Sequence, residues 1–344
     1  MKVLVVGGSG FVGARLVEAL RARGDEVVVT GRSAARLEKQ FGAGVRTVEW
    51  DPNRGPLPLS ELAGVDGVVN LAGDPVHKGR WNKAKKERIR ESRVVGTRNL
   101  VAALASAEPK PRVLVNASAI GWYGDRKHNW VHEDYPPAED YLAEVCQAWE
   151  AEARRAREAG IRTAIVRLGV VLGKDGGAYP QMAKPFRMFA GGRIGLGKMW
   201  MSWVHLDDVV GLFLYCLDSE QAVGVYNATS PHPVSNVEFT KTLGSVLKRP
   251  APFYVPAFML RLAKGEFAQV ITASIRARPL RTLAIGYEFK FPHLRDALLD
   301  IEGQTAKVEA PPTPEAVPAD QSRRSPDLSA VARSAKAEGA KTDD

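Results

Sequence analysis

Apolar residues follow two rhythms along the first half of the chain. Short, nearly unbroken runs have the length and β-branched content of buried strands: "KVLVVGG" from Lys2, "EVVVTGR" from Glu26, "RTVEW" from Arg46, "GVVNLAG" from Gly67, "RVLVNAS" from Arg112 and "RTAIVRLGVVLG" from Arg162. Between them lie stretches with apolar residues at helical spacing: "FVGARLVEALRARG", which stops at Gly24, then about Lys83 to Ala107 and Asp140 to Ala159. Strands that alternate with helices of this length pair in parallel, so the pattern predicts an α/β fold with a doubly wound, Rossmann-like parallel sheet and a smaller C-terminal lobe.

After Gly173 the rhythm changes. Residues 1–173 form the expected dinucleotide-binding core, and 174–249 hold glycine-rich loops, "KDGGAYPQM" and "AGGRIGLGKMWMSW", with the remaining core elements. Residues 250–302 read as a helical domain whose elements are kept short by Pro250, Pro252, Pro256, Pro279 and Pro292. From 303 to 344 the chain is Ala, Pro, Ser and mixed charge without an aromatic residue, a composition that predicts a disordered tail.

Composition narrows the partners. No apolar run approaches the roughly 20 residues that span a bilayer, so no membrane partner is expected. Two cysteines, Cys146 and Cys216, make neither a disulfide framework nor a four-ligand metal site, which points to a reducing, cytoplasmic setting. The net charge of +9 raises the question of nucleic acid, but the densest basic run, "KGRWNKAKKERIRESR" from Lys78 to Arg93, mixes in Glu87 and Glu91 at helical spacing. It reads first as a solvated helix face, next as a nucleotide-phosphate contact, and only last as a nucleic-acid surface.

The first strand runs into "GGSGFVG". Gly8, Gly10 and Gly13 have G-x-G-x-x-G spacing between a strand and a helix, where glycine lets the chain turn, lets backbone N–H groups approach a pyrophosphate and lets helix pack on strand. Gly7, Gly8, Gly10, Phe11, Val12 and Gly13 are the expected cofactor-binding turn. At the end of the second strand an acidic residue would accept from the ribose hydroxyls of NAD(H). Here Arg32 stands instead, which suits a 2′-phosphate and favours NADP(H) over NAD(H).

These motifs, with "NLAG" at Asn70–Gly73, "GTRNL" at Gly96–Leu100 and "ASAIGWYG" at Ala117–Gly124, resemble the extended or atypical short-chain dehydrogenase/reductases. More narrowly, "RWNKAKKERIRESR", "AEVCQAWE", "SWVHLDDVV" and "GYEFKFPHLRDAL" are similar to an uncharacterised epimerase-like family related to NAD-dependent epimerase/dehydratases, with a short C-terminal helical domain. The likeness covers Met1 to about Leu299. It implies that Asp51 meets the adenine amino group and that Leu71, Ala72 and Gly73 line the ribose and pyrophosphate, although an aspartate before Pro52 is also ordinary turn chemistry.

The same resemblance implies a catalytic tyrosine followed four residues later by a lysine on one helix face. Tyr141 is followed by Val145, and the position four before Tyr123 that would carry serine or threonine is Ala119, with Ser118 beside it. Tyr141, Tyr123 and Ser118 are therefore the candidate catalytic residues of an incomplete set. Cys146 reads as a buried inert thiol, Trp149 and Glu150 as the packing and polar faces of their helix, and Asp207 and Asp208 as N-terminal caps, with His205 the alternative base. Arg187, Arg193 and Lys198 are candidates for an anionic substrate group. Two functions follow: an NADP(H)-dependent oxidoreductase or nucleotide-sugar-epimerase-like enzyme acting on a small molecule, or a catalytically degenerate NADP(H)-binding regulatory or partner-binding protein.

Overall fold

Seven strands form one parallel sheet: β1 (Lys2–Val6), β2 (Glu26–Gly31), β3 (Arg46–Glu49), β4 (Gly67–Asn70), β5 (Val113–Ala119), β6 (Arg162–Leu168) and β7 (Gly224–Ala228). Their spatial order is β7-β6-β5-β4-β1-β2-β3. The computed structural model describes residues 1–304; the tail expected over 303–344 lies, from residue 305 on, outside the described residues.

Period-two alternation sends each strand's apolar residues to both faces. Val3 and Val5 pack with Leu16, Val17 and Leu20 of α1 (Phe11–Ala22) and with Val209, Leu212 and Phe213 of the helix Leu206–Asp218. Leu4 and Val6 face Leu100 and Leu104 of the helix Lys83–Ser106 on the other side. Helices therefore cover both faces, and the expected doubly wound architecture is what the chain adopts. In chain order the helices are α1, α2 (Ala34–Phe41), α3 (Lys83–Ser106), α4 (Tyr141–Arg154), α5 (Tyr179–Arg187), α6 (Leu206–Asp218), α7 (Asn236–Leu247), α8 (Ala257–Lys264), α9 (Phe267–Thr272), α10 (Leu280–Ala284) and α11 (Leu294–Ile301).

Two details depart from the pattern read in the sequence. The run "RTAIVRLGVVLG" is not one strand: it breaks at Gly169, after which Val170–Gly173 pairs with Trp203–His205 outside the central sheet. A Cβ at Gly169 would lie 2.6 Å from the Ser202 carbonyl oxygen, so only glycine lets the two backbones approach there. The seventh strand, "GVYNA", is too short and too mixed to stand out by periodicity; pairing with β6 makes it a strand.

The C-terminal residues wrap back onto the core. Leu294 and Leu298 of α11 join Phe239, Leu243 and Val246 of α7 in one apolar cluster. Asp208, in the first turn of α6, accepts from the backbone N–H groups of Lys290 (2.6 Å) and Phe291 (3.1 Å), and so ties this lobe to the sheet. Among the described residues no helix is long and apolar enough to cross a membrane.

Candidate functional site

The strand order reverses between β1 and β4, and the loops that leave their carboxyl ends form the crevice where open α/β sheets hold ligands. Gly7 brings those loops into backbone contact, and Gly8, Gly10 and Gly13 let the turn itself pack closely. Gly7 has φ +80°, and a Cβ on it would fall 2.9 Å from the Ala72 nitrogen. The Gly10 N–H closes the turn on the Gly7 carbonyl at 3.0 Å. A Cβ on Gly13 would sit 2.5 Å from that same oxygen, and one on Gly8 would strike Val29 at 2.6 Å. The N-cap of α1 is Gly10, which has no side chain to cap the first-turn N–H groups, and these are left for a ligand.

Phe11 and Val12 do not both line this space. Val12 packs against the core. The Phe11 ring lies among Gly173, Gly176 and Gly177, where added Cβ atoms would come within 2.7, 2.4 and 2.6 Å of it. Phe11 thus anchors the hairpin of Val170–Gly173 with Gly176–Gly177 to the glycine turn.

Across the crevice, buried Asn70 sets the path of Leu71, Ala72 and Gly73. Its amide donates to Asn116 Oδ1 (2.7 Å) and Thr97 Oγ1 (3.0 Å), and its carbonyl oxygen accepts from the Ala72 N–H at 3.2 Å. Arg32 follows directly on β2, is exposed and has no ion-pair partner among the described residues. Asp51 is engaged in its own turn: it accepts from the Asn53 N–H (3.1 Å) and lies 3.5 Å from the Arg54 guanidinium.

The basic run on α3 is not simply a solvated face. Lys85 is buried, ion-paired with Asp74, and donates to the Pro75 carbonyl at 2.7 Å. Arg93 is half-buried against Gly73: a Cβ there would lie 2.9 Å from the guanidinium carbon. Its Nη1 donates to the carbonyls of Asp74 (3.1 Å) and Ile89 (3.0 Å), and the guanidinium lies 5.2 Å from the Trp149 ring centre. Among the described residues no carboxylate pairs with it, so a cation with uncommitted donors stands at the crevice wall, suited to a phosphate or ribose oxygen. Helical periodicity alone could not separate it from its solvated neighbours.

The three candidate hydroxyls fall into two separate networks. Tyr141, on the first turn of α4, donates to the Lys86 carbonyl of α3 at 2.5 Å and meets the Trp81 ring edge-on at 5.7 Å. Val145, one turn further along, is buried and brings no charge. Ser118 is 1% exposed and donates to Glu150 Oε1 at 2.8 Å. Tyr123 is 0% exposed, donates to Asn227 Oδ1 (2.8 Å) and accepts from Arg167 Nη1 (3.1 Å).

Behind Ser118 and Tyr123 stands an ion pair that the sequence reading missed. Arg167, on β6, grips Glu150 with Nε at 2.7 Å and Nη2 at 3.0 Å. Glu150 is fully buried rather than on a polar helix face, because Ser118, Arg154 and Arg167 all donate to it. The available signal was Arg167 itself, a charged residue inside an otherwise apolar strand, which requires a buried partner. Nearby Glu133 is also buried; its Oε1 accepts from the N–H groups of Asn227 (3.1 Å) and Arg281 (3.2 Å), while Oε2 has no partner among the described residues.

The remaining candidates have structural partners. Cys146 is buried beside the Ala119 carbonyl, and burial pushes its thiol up to about 12. His205, not Asp207 or Asp208, caps α6: its Nδ1 accepts from the Asp207 N–H at 3.1 Å, and its Nε2 lies 3.3 Å from Asp300. Burial holds its pKa below the ordinary histidine value. Arg187 pairs with Glu302 at 2.5 Å, whereas Arg193 and Lys198 are exposed.

Three outcomes follow for mutants of this region. Glu150→Ala leaves the Arg167 charge buried and unpaired and is expected to cost about 3–5 kcal/mol in chemical denaturation. Burial raises the Glu133 carboxyl pKa above its ordinary value, so its contribution is full below the unfolded-state pKa and is lost as pH rises through the folded one. Glu133→Gln, neutral throughout, should match the parent in acid and exceed its stability near neutral pH; identical pH profiles would refute this. Arg93→Met should weaken NADPH binding by about tenfold or more, and weaken 2′,5′-ADP, which keeps only the adenosine-side phosphate, by less, as read by calorimetry.

Comparison with known proteins places this geometry. The profile of the NAD dependent epimerase/dehydratase family matches residues 3–229, and that of a domain of unknown function, DUF1731, matches residues 255–301. An Arabidopsis thaliana relative, the chloroplastic homolog of epimerase family protein SDR39U1, is 41% identical over 304 residues, 87% of this chain and 86% of its own. The crystal structure of human epimerase family protein SDR39U1 (isoform 2) with NADPH superposes with a TM-score of 0.77 at 32% identity, covering 89% of this chain and 100% of that one. A nucleoside-diphosphate sugar epimerase from Corynebacterium glutamicum follows at TM-score 0.70 and 29% identity, over 89% of this chain and 62% of its own. With the family profile matched over residues 3–229 and a relative 41% identical across 87% of the sequence, this chain belongs to the NAD dependent epimerase/dehydratase family.

Proposed function

We propose that this protein binds NADP(H) in the β1–β4 crevice and acts as an oxidoreductase or epimerase-like enzyme on a small molecule that carries a carbonyl or hydroxyl. The observation that carries the cofactor choice is Arg32, exposed and without an ion-pair partner at the end of β2, where the adenosine 2′-position falls in such crevices. The human relative crystallised with NADPH supports the same choice. Bound there, the nicotinamide supplies or accepts a hydride.

The chain's own part is to hold, orient and protonate. The first turn of α1 and Arg93 hold the pyrophosphate side, and Asn70 fixes the loop that closes over it. Tyr141 is the hydroxyl nearest in kind to a proton donor. Burial raises its pKa and the Arg93 charge opposes that rise, so at neutral pH the phenol is protonated and serves as an acid, not a base. To act, it exchanges the Lys86 carbonyl for the substrate oxygen.

A second reading, nucleotide binding without turnover, is favoured by one specific observation. Ser118, Tyr123 and Tyr141 all donate inside the protein, and Val145 supplies no cation. Following NADPH oxidation across a panel of carbonyl compounds and sugar nucleotides separates the two: turnover lost in Tyr141→Phe supports the enzyme, and tight NADPH binding with no turnover across the panel supports the sensor. Arg32→Ala should weaken NADPH binding by about ten- to a hundredfold and leave NADH unchanged; equal loss of both nucleotides would remove Arg32 from the 2′-phosphate.

A further inference from the structure

Large apolar side chains are exposed together on one part of the surface. Met188 and Phe189, just after α5, and Leu196 are 66%, 56% and 67% exposed. Pairing of Gly192–Ile194 with Phe253–Val255 brings a second group alongside: Phe253 and Tyr254, each 52% exposed, lead into α8 with Phe258 at 63%, Met259 at 52% and Leu262 at 78%. Among the described side chains of α8 none is buried. A short helix that turns its apolar side chains to water while others pack theirs inward marks a binding surface.

The charge around this patch is predominantly positive, with Glu302 held by Arg187 at its edge. Residues 176–206 contain Lys184, Arg187, Arg193 and Lys198 and no Asp or Glu. Residues 239–265 contain five further Lys or Arg and again no Asp or Glu. At the carboxyl end of α7 a cavity of about 330 Å³ is lined by Lys241, Lys248 and Arg249 with the hydroxyl residues Thr240 and Ser245. The Arg249 guanidinium lies 4.5 Å from the Phe189 ring centre, so the basic cavity and the apolar patch share a border.

We propose that this face is a docking surface for an anionic phospholipid bilayer, with Phe258, Met259 and Leu262 entering the interface and the Lys248–Arg249 cavity receiving a headgroup phosphate. Charge complementarity selects this occupant. A second copy of the chain docked patch to patch would set two predominantly basic surfaces against each other. Apolar residues rimmed by cations are what an anionic lipid surface binds, and the attachment is peripheral because no described helix can span. This inference is independent of the proposed reaction.

Sedimentation of the full chain with vesicles tests it. The parent should pellet with vesicles of phosphatidylcholine plus phosphatidylglycerol, far less with phosphatidylcholine alone, and progressively less as salt rises. Phe258→Ser with Leu262→Ser, and separately Lys248→Glu with Arg249→Glu, should each weaken the binding by about tenfold or more while NADPH affinity, read in the same preparations, stays at the parental level. The proposal is overturned if the parent stays in solution with the anionic vesicles at low salt, or if both double variants bind them like the parent. A dimer in analytical ultracentrifugation that dissolves in Phe258→Ser with Leu262→Ser assigns the patch to self-association and likewise overturns it.

Discussion

The pair of Glu150 and Arg167 is the interaction on which the interior behind the crevice depends. A carboxylate and a guanidinium, both without solvent contact, are stable only when their hydrogen-bonding capacity is met inside the protein. Meeting it recruits Ser118 from β5, Arg154 from α4, Tyr123 and the Glu133 carbonyl, while the Trp122 ring lies 3.8 Å from the guanidinium carbon. The network therefore fixes α4 against β5 and β6 and the 120–133 segment against both. The same accounting shapes the chemistry: a serine and a tyrosine where catalytic hydroxyls are expected are held as structural donors.

The crevice is stiff for a different reason. Backbone meets backbone at Gly7, Gly13, Leu71 and Ala72 at distances that exclude a Cβ, and Asn70 pins the second loop from beneath with three hydrogen bonds. A nucleotide would thus meet preformed N–H groups. Arg93 and Lys85 extend the same logic to α3. One cation is satisfied by Asp74 and locks the loop; the other is held by two carbonyls and the Trp149 ring and keeps donors for a ligand.

The C-terminal residues are joined to this frame by polar and cation–aromatic contacts. Arg276 lies between the Trp130 and Trp200 rings, 3.7 Å from each centre, with Arg278 on Trp130 at the same distance. Asn227 of β7 links both systems: its Oδ1 accepts from Tyr123 and its amide donates to the Arg278 carbonyl at 2.9 Å. The lobe over the sheet is thereby coupled to the network of Glu150, whereas α8 contributes no buried side chain among those described.

The sequence by itself determined the doubly wound sheet, the glycine turn and the cation after β2. Each rests on local causes: period-two and period-3.6 apolar spacing, the steric demands of glycine, and a strand end that can carry only a few residues. Tertiary structure alone decided that Glu150 is buried, that Lys85 and Arg93 leave the solvated face of α3, that Phe11 serves the Gly173–Gly177 hairpin and that "RTAIVRLGVVLG" divides at Gly169. In every such case the deciding partner lies far along the chain or on another helix. A charge or ring reads the same in sequence whether water or a buried partner awaits it, and only the packed fold supplies the partner.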